Sequence, residues 1–129
     1  MSTLLIVDNN EFTRKHITEP LRNVGYTIIE AATGKTGLNL LHNNLVDLMI
    51  IEIFMPEMDG IEVIRKVAGN YKKCKLIAIS GHNNTPIHNR ILSSTKLLGA
   101  NAVIITPFSS DDIIYNVKYL LRVDHYKSQ

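Results

Sequence analysis

The chain has 129 residues, of which 45% are hydrophobic and 20% charged, a balance typical of one globular domain and not of a disordered or fibrous protein. Fourteen basic and twelve acidic residues leave a net charge of +2, which argues against bulk nucleic-acid binding. Cys74 is the single cysteine, and no apolar run reaches the length of a bilayer span. We therefore expect a cytoplasmic protein without a membrane partner.

The small net charge hides an uneven distribution along the chain. Residues 1–62 carry nine acidic and four basic side chains, whereas residues 63–129 carry ten basic and three acidic ones. No acid lies between residues 63 and 110. This split predicts an acidic site and a separate basic surface on one small domain.

The first two predicted elements show the periodicities that recur along the chain. The short β-branched run Thr3–Val7 predicts a buried strand. The next stretch predicts a helix over Glu11–Val24 that ends at Gly25. Its expected buried face consists of Phe12, His16 or Ile17, Leu21 and Val24.

The same alternation continues to the end of the chain. Further strands are predicted at Tyr26–Ala31, Leu48–Ile53, Leu76–Ile79 and Ala102–Ile105. Further helices are predicted at Gly34–Asn43, Gly60–Ala68, Pro86–Leu98 and Ser109–Arg122. We expect one α/β domain over residues 1–129, a doubly wound five-stranded parallel sheet flanked by five helices, with a frayed tail at 124–129.

Acidic residues stand where two of these strands end. Open parallel sheets place their sites outside the carboxyl ends of the strands. Asp8 and Glu52 end the first and third strands, which we expect to be neighbours, and buried carboxylates are costly unless paired or bound. A pocket is therefore predicted there. The alternative is that Asp8 caps a helix and Glu52 pairs with a lysine.

Several stretches in order along the chain resemble the landmarks of CheY-like response-regulator receiver domains. The matching stretches are Leu4–Asn10, Asp47–Glu62 with its Met-Pro-x-Met-Asp-Gly sequence, Ile79–Gly81, Gly99–Ala100 and Pro107–Phe108. The resemblance implies a flavodoxin-like sheet with strand order 2-1-3-4-5 and a role in two-component (phosphorelay) signal transduction. It also implies a cis peptide bond between Thr106 and Pro107.

The chain departs from the receiver pattern at three positions of the phosphorylation site. Asp8 keeps the first acid and Ser80 keeps the hydroxyl, but Asn9 stands in place of the second, metal-binding acid. Glu52 replaces the phosphoryl-accepting aspartate, and Thr106 replaces the lysine. Because phosphoryl transfer depends on positioning and on charge from metal and cation, we expect a degenerate pseudo-receiver that is not an enzyme.

The same departures weaken the metal site that the resemblance implies. The ligands left for Mg²⁺ are Asp8, Glu52 and the carbonyl of Phe54, whereas Mg²⁺ demands near-ideal octahedral oxygens. We therefore expect no resident cofactor and at most weakly held Mg²⁺.

A basic surface with aromatic residues is predicted toward the end of the chain. The resemblance places the signalling face on the fourth helix, fifth strand and fifth helix, where Val103 replaces a common aromatic switch residue. A longer loop at 82–85 is expected beside it. Tyr and Arg are frequent interface anchors, so we expect a protein partner, either a histidine kinase or a downstream signalling protein. The residues expected on this face are Arg90, Val103, Tyr115, Lys118, Tyr119 and Arg122.

The sequence thus predicts a stand-alone pseudo-receiver that acts by phosphorylation-independent protein–protein contact. One alternative is a conventional Mg²⁺-dependent, phospho-accepting response regulator with an unusual site. An alternative of another class is a small flavodoxin-like enzyme or cofactor-binding module that uses Asp8 and Glu52.

Overall fold

The structure is a computed structural model, and it describes residues 2–55, 60–80 and 86–127. Three sequence features lie outside the described residues: the central residues 56–59 of the Met-Pro-x-Met-Asp-Gly stretch, Gly81 and the expected loop at 82–85. None of the helices in the described ranges combines the length and apolar character that a bilayer crossing requires.

Strands and helices alternate throughout the described part of the chain. The strands are β1 (Thr3–Val7), β2 (Thr27–Ala31), β3 (Leu48–Glu52), β4 (Lys75–Ser80) and β5 (Ala102–Ile105). The helices are α1 (Glu11–Val24), α2 (Gly34–Asn43), α3 (Gly60–Asn70), α4 (Pro86–Leu98) and α5 (Ser110–Lys127). The predicted order of elements is confirmed.

The five strands form one parallel sheet in the order β2-β1-β3-β4-β5, as predicted. The register pairs Val7 of β1 with Ile51 of β3, and Glu52 with Ile79 of β4. The chain order reverses between β1 and β3, and the carboxyl ends of these strands lie side by side there. This edge, which we call the carboxyl edge, carries the acidic residues.

Each face of the sheet is covered by helices, because the central strands are apolar on both sides. On one face Leu5 and Met49 pack with Val63 of α3. On the other face Leu4 and Ile50 pack with residues of α1 and α5 such as Leu21 and Val117. The alternation along each strand therefore divides one continuous apolar run between two cores.

The buried face of α1 differs from the predicted one. Ile17, Thr18 and Leu21 are buried, but Phe12 is 72% exposed and its ring meets that of His16 edge-on at 4.5 Å. The prediction for Phe12 was wrong because the first turn of α1 follows the turn after β1 and lies beyond the end of the sheet. Helical spacing alone does not reveal where the sheet stops.

Several element ends also differ from the predicted ones. Tyr26 belongs to the turn and not to β2, because its N–H donates to Leu21 O at the left-handed Gly25 (φ 112°). Helix α3 continues to Asn70, whose side chain donates to Lys66 O at 2.9 Å. Helix α5 continues to Lys127, into the segment expected to fray.

Candidate functional site at the carboxyl edge

The residues predicted for the site converge on the carboxyl edge. Asp8, Glu52 and Ser80 are all buried, and each stands at or just after the end of its strand. Thr106 follows β5 and is partly buried, whereas Asn9 is exposed. Three of the five positions are therefore buried and a fourth is partly buried, at one end of an apolar sheet.

The two carboxylate oxygens of Asp8 are buried but differ in their hydrogen bonding. Its Oδ1 accepts the N–H of Asn10 at 2.9 Å, whereas no donor among the described residues reaches its buried Oδ2. Burial raises the pKa of Asp8, and the Asn10 N–H and the Arg14 charge oppose this only in part. Asp8 is not the cap of α1: Asn10 is, because its side chain accepts Thr13 N–H.

Arg14 brings a positive charge to the turn after β1, which the sequence analysis missed. Its Nη1 donates to the carbonyl of Asp8 at 2.6 Å and its Nε to Glu30 Oε1 at 2.9 Å. Arg22 donates to the other oxygen of Glu30 at 2.8 Å. The hydrogen bond from Arg22, followed by that from Arg14, holds the pKa of Glu30 below its usual value. The two arginines, each bonded to one oxygen of Glu30, tie α1 to β2 beside Asp8.

Glu52 lies at the point where β3 leaves the sheet. Its Oε1 accepts the N–H of Phe54 at 3.3 Å, two residues further along the chain. The hydrogen bonds between β3 and β4 continue for one residue beyond Glu52, because Ile53 N–H donates to Ile79 O at 2.9 Å. The longer glutamate side chain thus folds back on the backbone that follows it.

Gly60 packs directly against this segment, which is a second feature that the sequence analysis missed. Its N–H donates to Ile53 O at 2.8 Å. A Cβ at Gly60 would lie 2.6 Å from both Glu52 O and Ile53 Cα. The glycine of the Asp-Gly pair is therefore the signal that α3 begins against the end of β3.

Thr106, at the lysine position of the family pattern, uses its hydroxyl within the fold. Its Oγ1 donates to the carbonyl of Ser80 at 3.0 Å and so joins the ends of β5 and β4. The peptide bond between Thr106 and Pro107 is cis, as the resemblance implied. The threonine offers no charge to the site.

The groups that could hold a metal ion are few. Among the described residues, no three His, Cys, Asp or Glu side chains converge on one point. The oxygens that the family resemblance assigns to a metal are the carboxylates of Asp8 and Glu52 and the carbonyl of Phe54, and the exposed Asn9 adds no charge. This set supplies two carboxylates and one carbonyl, whereas Mg²⁺ demands near-ideal octahedral oxygens.

The predicted interaction face is only partly assembled as expected. Tyr115 and Tyr119 are exposed on α5, and their rings stack at 6.3 Å with an interplanar angle of 16°. Lys118 and Arg122 are exposed on the same helix and Arg90 on α4, but Val103 is partly buried against the core. Ile105 is 51% exposed at the end of β5 and was not predicted.

Most basic residues of the acid-free stretch 63–110 lie outside the predicted interaction face. Arg65 and Lys66 are on α3, and Lys72 and Lys73 are in the turn that leads to β4. The turn to β4 is at the opposite edge of the sheet, which we call the amino edge. The bases of this stretch are therefore spread over more than the one basic surface that the charge split predicted.

The fold agrees with the comparisons to known proteins. The model of the response regulator receiver domain matches residues 4–118. The chain belongs to this family. A CheY-like response regulator receiver domain from Methanospirillum hungatei has a similar structure, with a TM-score of 0.88, 26% sequence identity and 98% of both chains covered.

Relatives with curated names are longer proteins. The chain is 28% identical over 122 residues to the transcriptional regulatory protein HprR of Escherichia coli, covering 95% of this chain and 52% of that protein. It is 27% identical over 120 residues to a cyclic di-GMP phosphodiesterase of Thermotoga maritima, covering 93% of this chain and 31% of that protein. The chain thus spans about half or less of the length of these relatives.

Proposed function

We propose that this receiver domain transmits a signal through protein contacts that do not depend on its own phosphorylation. The observation that carries the proposal is Glu52, whose buried carboxylate accepts the Phe54 N–H at the position of the family's acceptor aspartate. The additional methylene moves the carboxylate by about 1.5 Å. In-line phosphoryl transfer tolerates such a displacement poorly, because its rate depends on near-attack geometry.

The surroundings of Glu52 support the same conclusion. Phosphoryl transfer is stabilised mainly by cations around the transferred group. Asn9 is exposed and neutral, and the Thr106 hydroxyl donates to the Ser80 carbonyl. The guanidinium of Arg14 contacts the backbone of Asp8 and the carboxylate of Glu30. Charge that would stabilise a phosphoryl group is thus reduced.

A fixed conformation is a further part of the proposal. The strand ends are held by three hydrogen bonds: from Arg14 of α1 to Asp8 O, from Phe54 N–H to Glu52, and from Thr106 after β5 to Ser80 O of β4. Val103 stands where an aromatic switch residue is common, and it packs against the core. A conformational switch needs a ligand with different affinities for two states. We infer that the domain presents one surface constantly.

That surface is the α5 face, formed by Tyr115, Lys118, Tyr119 and Arg122. The two stacked rings offer rigid apolar area, and Lys118 and Arg122 lie one helical turn apart beside them. Aromatic and arginine anchors with complementary charge suit an acidic segment of a histidine kinase or of a downstream signalling protein.

Beryllofluoride, which forms a phosphoryl mimic on receiver aspartates, tests the fixed conformation. We expect amide resonances of residues 102–106 and of α5 to remain unchanged when Mg²⁺ and beryllofluoride are added. A saturable, Mg²⁺-dependent shift of those resonances would contradict the proposal and would favour the conventional phospho-accepting alternative.

A further inference from the structure

A second concave site lies at the amino edge, at the opposite end of the sheet from Asp8 and Glu52. The pocket has a volume of about 220 Å³ and lies between the end of α3, the turn into β4 and the end of α4. Val67, Ala68 and Leu76 form its apolar floor, and Tyr71, Lys72 and Asn101 stand on its rim. Nothing in the proposed function uses this pocket.

Hydrogen bonds within the fold hold the pocket open in a defined shape. Asn101 Oδ1 accepts Leu76 N–H at 2.8 Å, and Asn101 N–H donates to Leu76 O at 2.7 Å. The hydroxyl of Tyr71 lies 3.4 Å from His42 Nδ1 of α2. Because these groups are already bonded, the pocket is largely formed before any partner arrives.

A glycine brings the two helices that flank the pocket together. Gly99 has a φ of +126°, and a Cβ there would lie 2.5 Å from the Cβ of Ala68. The end of α4 therefore approaches α3 more closely than another residue would permit. The wall of the pocket depends on this contact.

Lys72 and Lys75 line the pocket, and further basic side chains lie on the elements that form it. Lys72 and Lys73 are exposed beside it, Arg65 and Lys66 are exposed on α3, and Lys96 is exposed in the last turn of α4. The acids identified near these bases are Glu62, which lies 3.7 Å from Lys66, and Asp47, whose Oδ2 accepts Thr3 N–H at 2.8 Å. Within the described residues no acid forms an ion pair with Lys72 or Lys73, although the charge of Asp47 adds to burial in raising the pKa of Cys74 in the pocket lining.

We propose that this pocket docks a short acidic segment of a protein partner, with one apolar side chain on the floor and carboxylates on Lys72 and Lys73. The volume is below the range of about 300–1,000 Å³ usual for small-molecule sites, but it accommodates one side chain. Complementary charge sets the orientation and speed of such docking. The chain's net charge of +2 favours a peptide over a nucleic acid.

An acidic probe peptide tests the proposal in solution. The ¹⁵N-labelled protein is titrated with a peptide in which one Leu is flanked by Glu and Asp, and with a matched peptide that carries Gln and Asn instead. We expect saturable amide shifts at residues 67–76 and 99–101 with the acidic peptide alone. Shifts confined to the α5 face, equal binding of the neutral peptide, or no shifts at millimolar peptide would each overturn the proposal.

Charge reversal identifies the residues responsible. Lys72→Glu combined with Lys73→Glu should raise the Kd for the acidic peptide by at least about tenfold. Lys15→Glu combined with Lys35→Glu, at exposed positions on α1 and α2, should leave the Kd within about twofold. Equal effects of both pairs would contradict a defined site, as would tighter binding of a DNA duplex or of anionic vesicles than of the peptide. Charge reversals on α5 should leave this Kd unchanged. Loss of peptide docking at the amino edge can therefore be distinguished from loss of the partner contact on α5.

Discussion

Asp8 illustrates the cost of keeping a carboxylate buried at the end of an apolar strand. Its carboxylate is 2% exposed, and one of its oxygens has no donor among the described residues. Burial raises the pKa of Asp8, so the fold disfavours the charged form. Functional sites commonly hold such destabilising groups, and replacing them then increases stability.

Asp8→Asn should therefore stabilise the protein near neutral pH. The amide keeps an oxygen that can accept the Asn10 N–H but carries no charge that requires solvation. We expect the free energy of unfolding to rise by about 1 kcal/mol and the Tm by about 4 °C. Urea denaturation and calorimetry at neutral pH measure both quantities.

The stability that Asp8→Asn gains over the wild type should increase as pH rises. Because the folded-state pKa of Asp8 lies above its ordinary value of 3.8, the folded protein binds more protons than the unfolded chain between these two values. The stability of the wild type therefore falls as pH rises through this window. The advantage of Asp8→Asn should be absent below the window and full above it, and an equal advantage at both ends would contradict the burial of this charge.

At the level of residues, the sequence was informative where position along a strand decides location. Asp8, Glu52 and Ser80 were predicted at the carboxyl edge because each one closes an apolar run. The Arg14–Glu30 contact was not predicted, because it joins residues sixteen positions apart on α1 and β2. Such a contact depends on how the helix packs across the sheet, which local patterns do not encode.

At the level of elements, the buried stripe of α1 can be tested by paired truncations. Leu21→Ala should lower the free energy of unfolding by about 3 kcal/mol, because Leu21 is fully buried against the sheet. Phe12→Ala should change it by less than about 0.5 kcal/mol, because the ring is mainly exposed. Chemical denaturation measures both, and similar losses for the two variants would contradict the observed orientation of α1.

The two ends of α3 offer a pair of glycines for comparison, Gly60 at its start and Gly69 near its end. Gly60→Ala should destabilise the protein by about 2 kcal/mol and shift the amides of residues 52–54, because the new Cβ would meet backbone atoms. Gly69→Ala should instead stabilise it by about 1 kcal/mol, because nothing lies within 4 Å and alanine favours the helix. Thermal unfolding of both variants is the measurement, and stabilisation by Gly60→Ala would contradict the close packing.

Element types and order were predictable because hydrophobic periodicity changes clearly along the chain. Element ends were less predictable. The end of α3 depends on the Asn70 side chain bonding to Lys66 O, and the exclusion of Tyr26 from β2 depends on the turn at Gly25. These ends are decided by single hydrogen bonds at helix termini and not by hydrophobic pattern.

At the level of the whole molecule, the basic half of the chain divides between two surfaces. Lys118 and Arg122 lie on the α5 face, whereas Lys72 and Lys73 lie at the amino edge. Counting charges along the sequence cannot separate them, because the chain crosses from one edge of the sheet to the other with every element. Their separation means that two partners, or two parts of one partner, can be tested independently.

Reversal of the basic charges of the α5 face, together with that of Arg90 on α4, should weaken the proposed partner contact. Arg90→Glu, Lys118→Glu and Arg122→Glu together should lower partner recovery in a quantitative pull-down by at least about tenfold. Recovery by the wild type should also decrease as salt increases, because exposed charges are screened. Lys15→Glu with Lys35→Glu is the matched control. Equal recovery by all three proteins would contradict a role of the α5 face in binding the partner.

The central claim, that signalling by this receiver domain does not use an aspartyl phosphate, is tested most directly by intact-mass spectrometry after incubation with Mg²⁺ and a small phosphodonor. The positive control is the chain with Asn9→Asp, Glu52→Asp and Thr106→Lys, which restores the family's charges and acceptor. We expect a phosphoryl adduct on the restored variant and none on the wild type. A stoichiometric, Mg²⁺-dependent and acid-stable, base-labile adduct on the wild type would contradict the account.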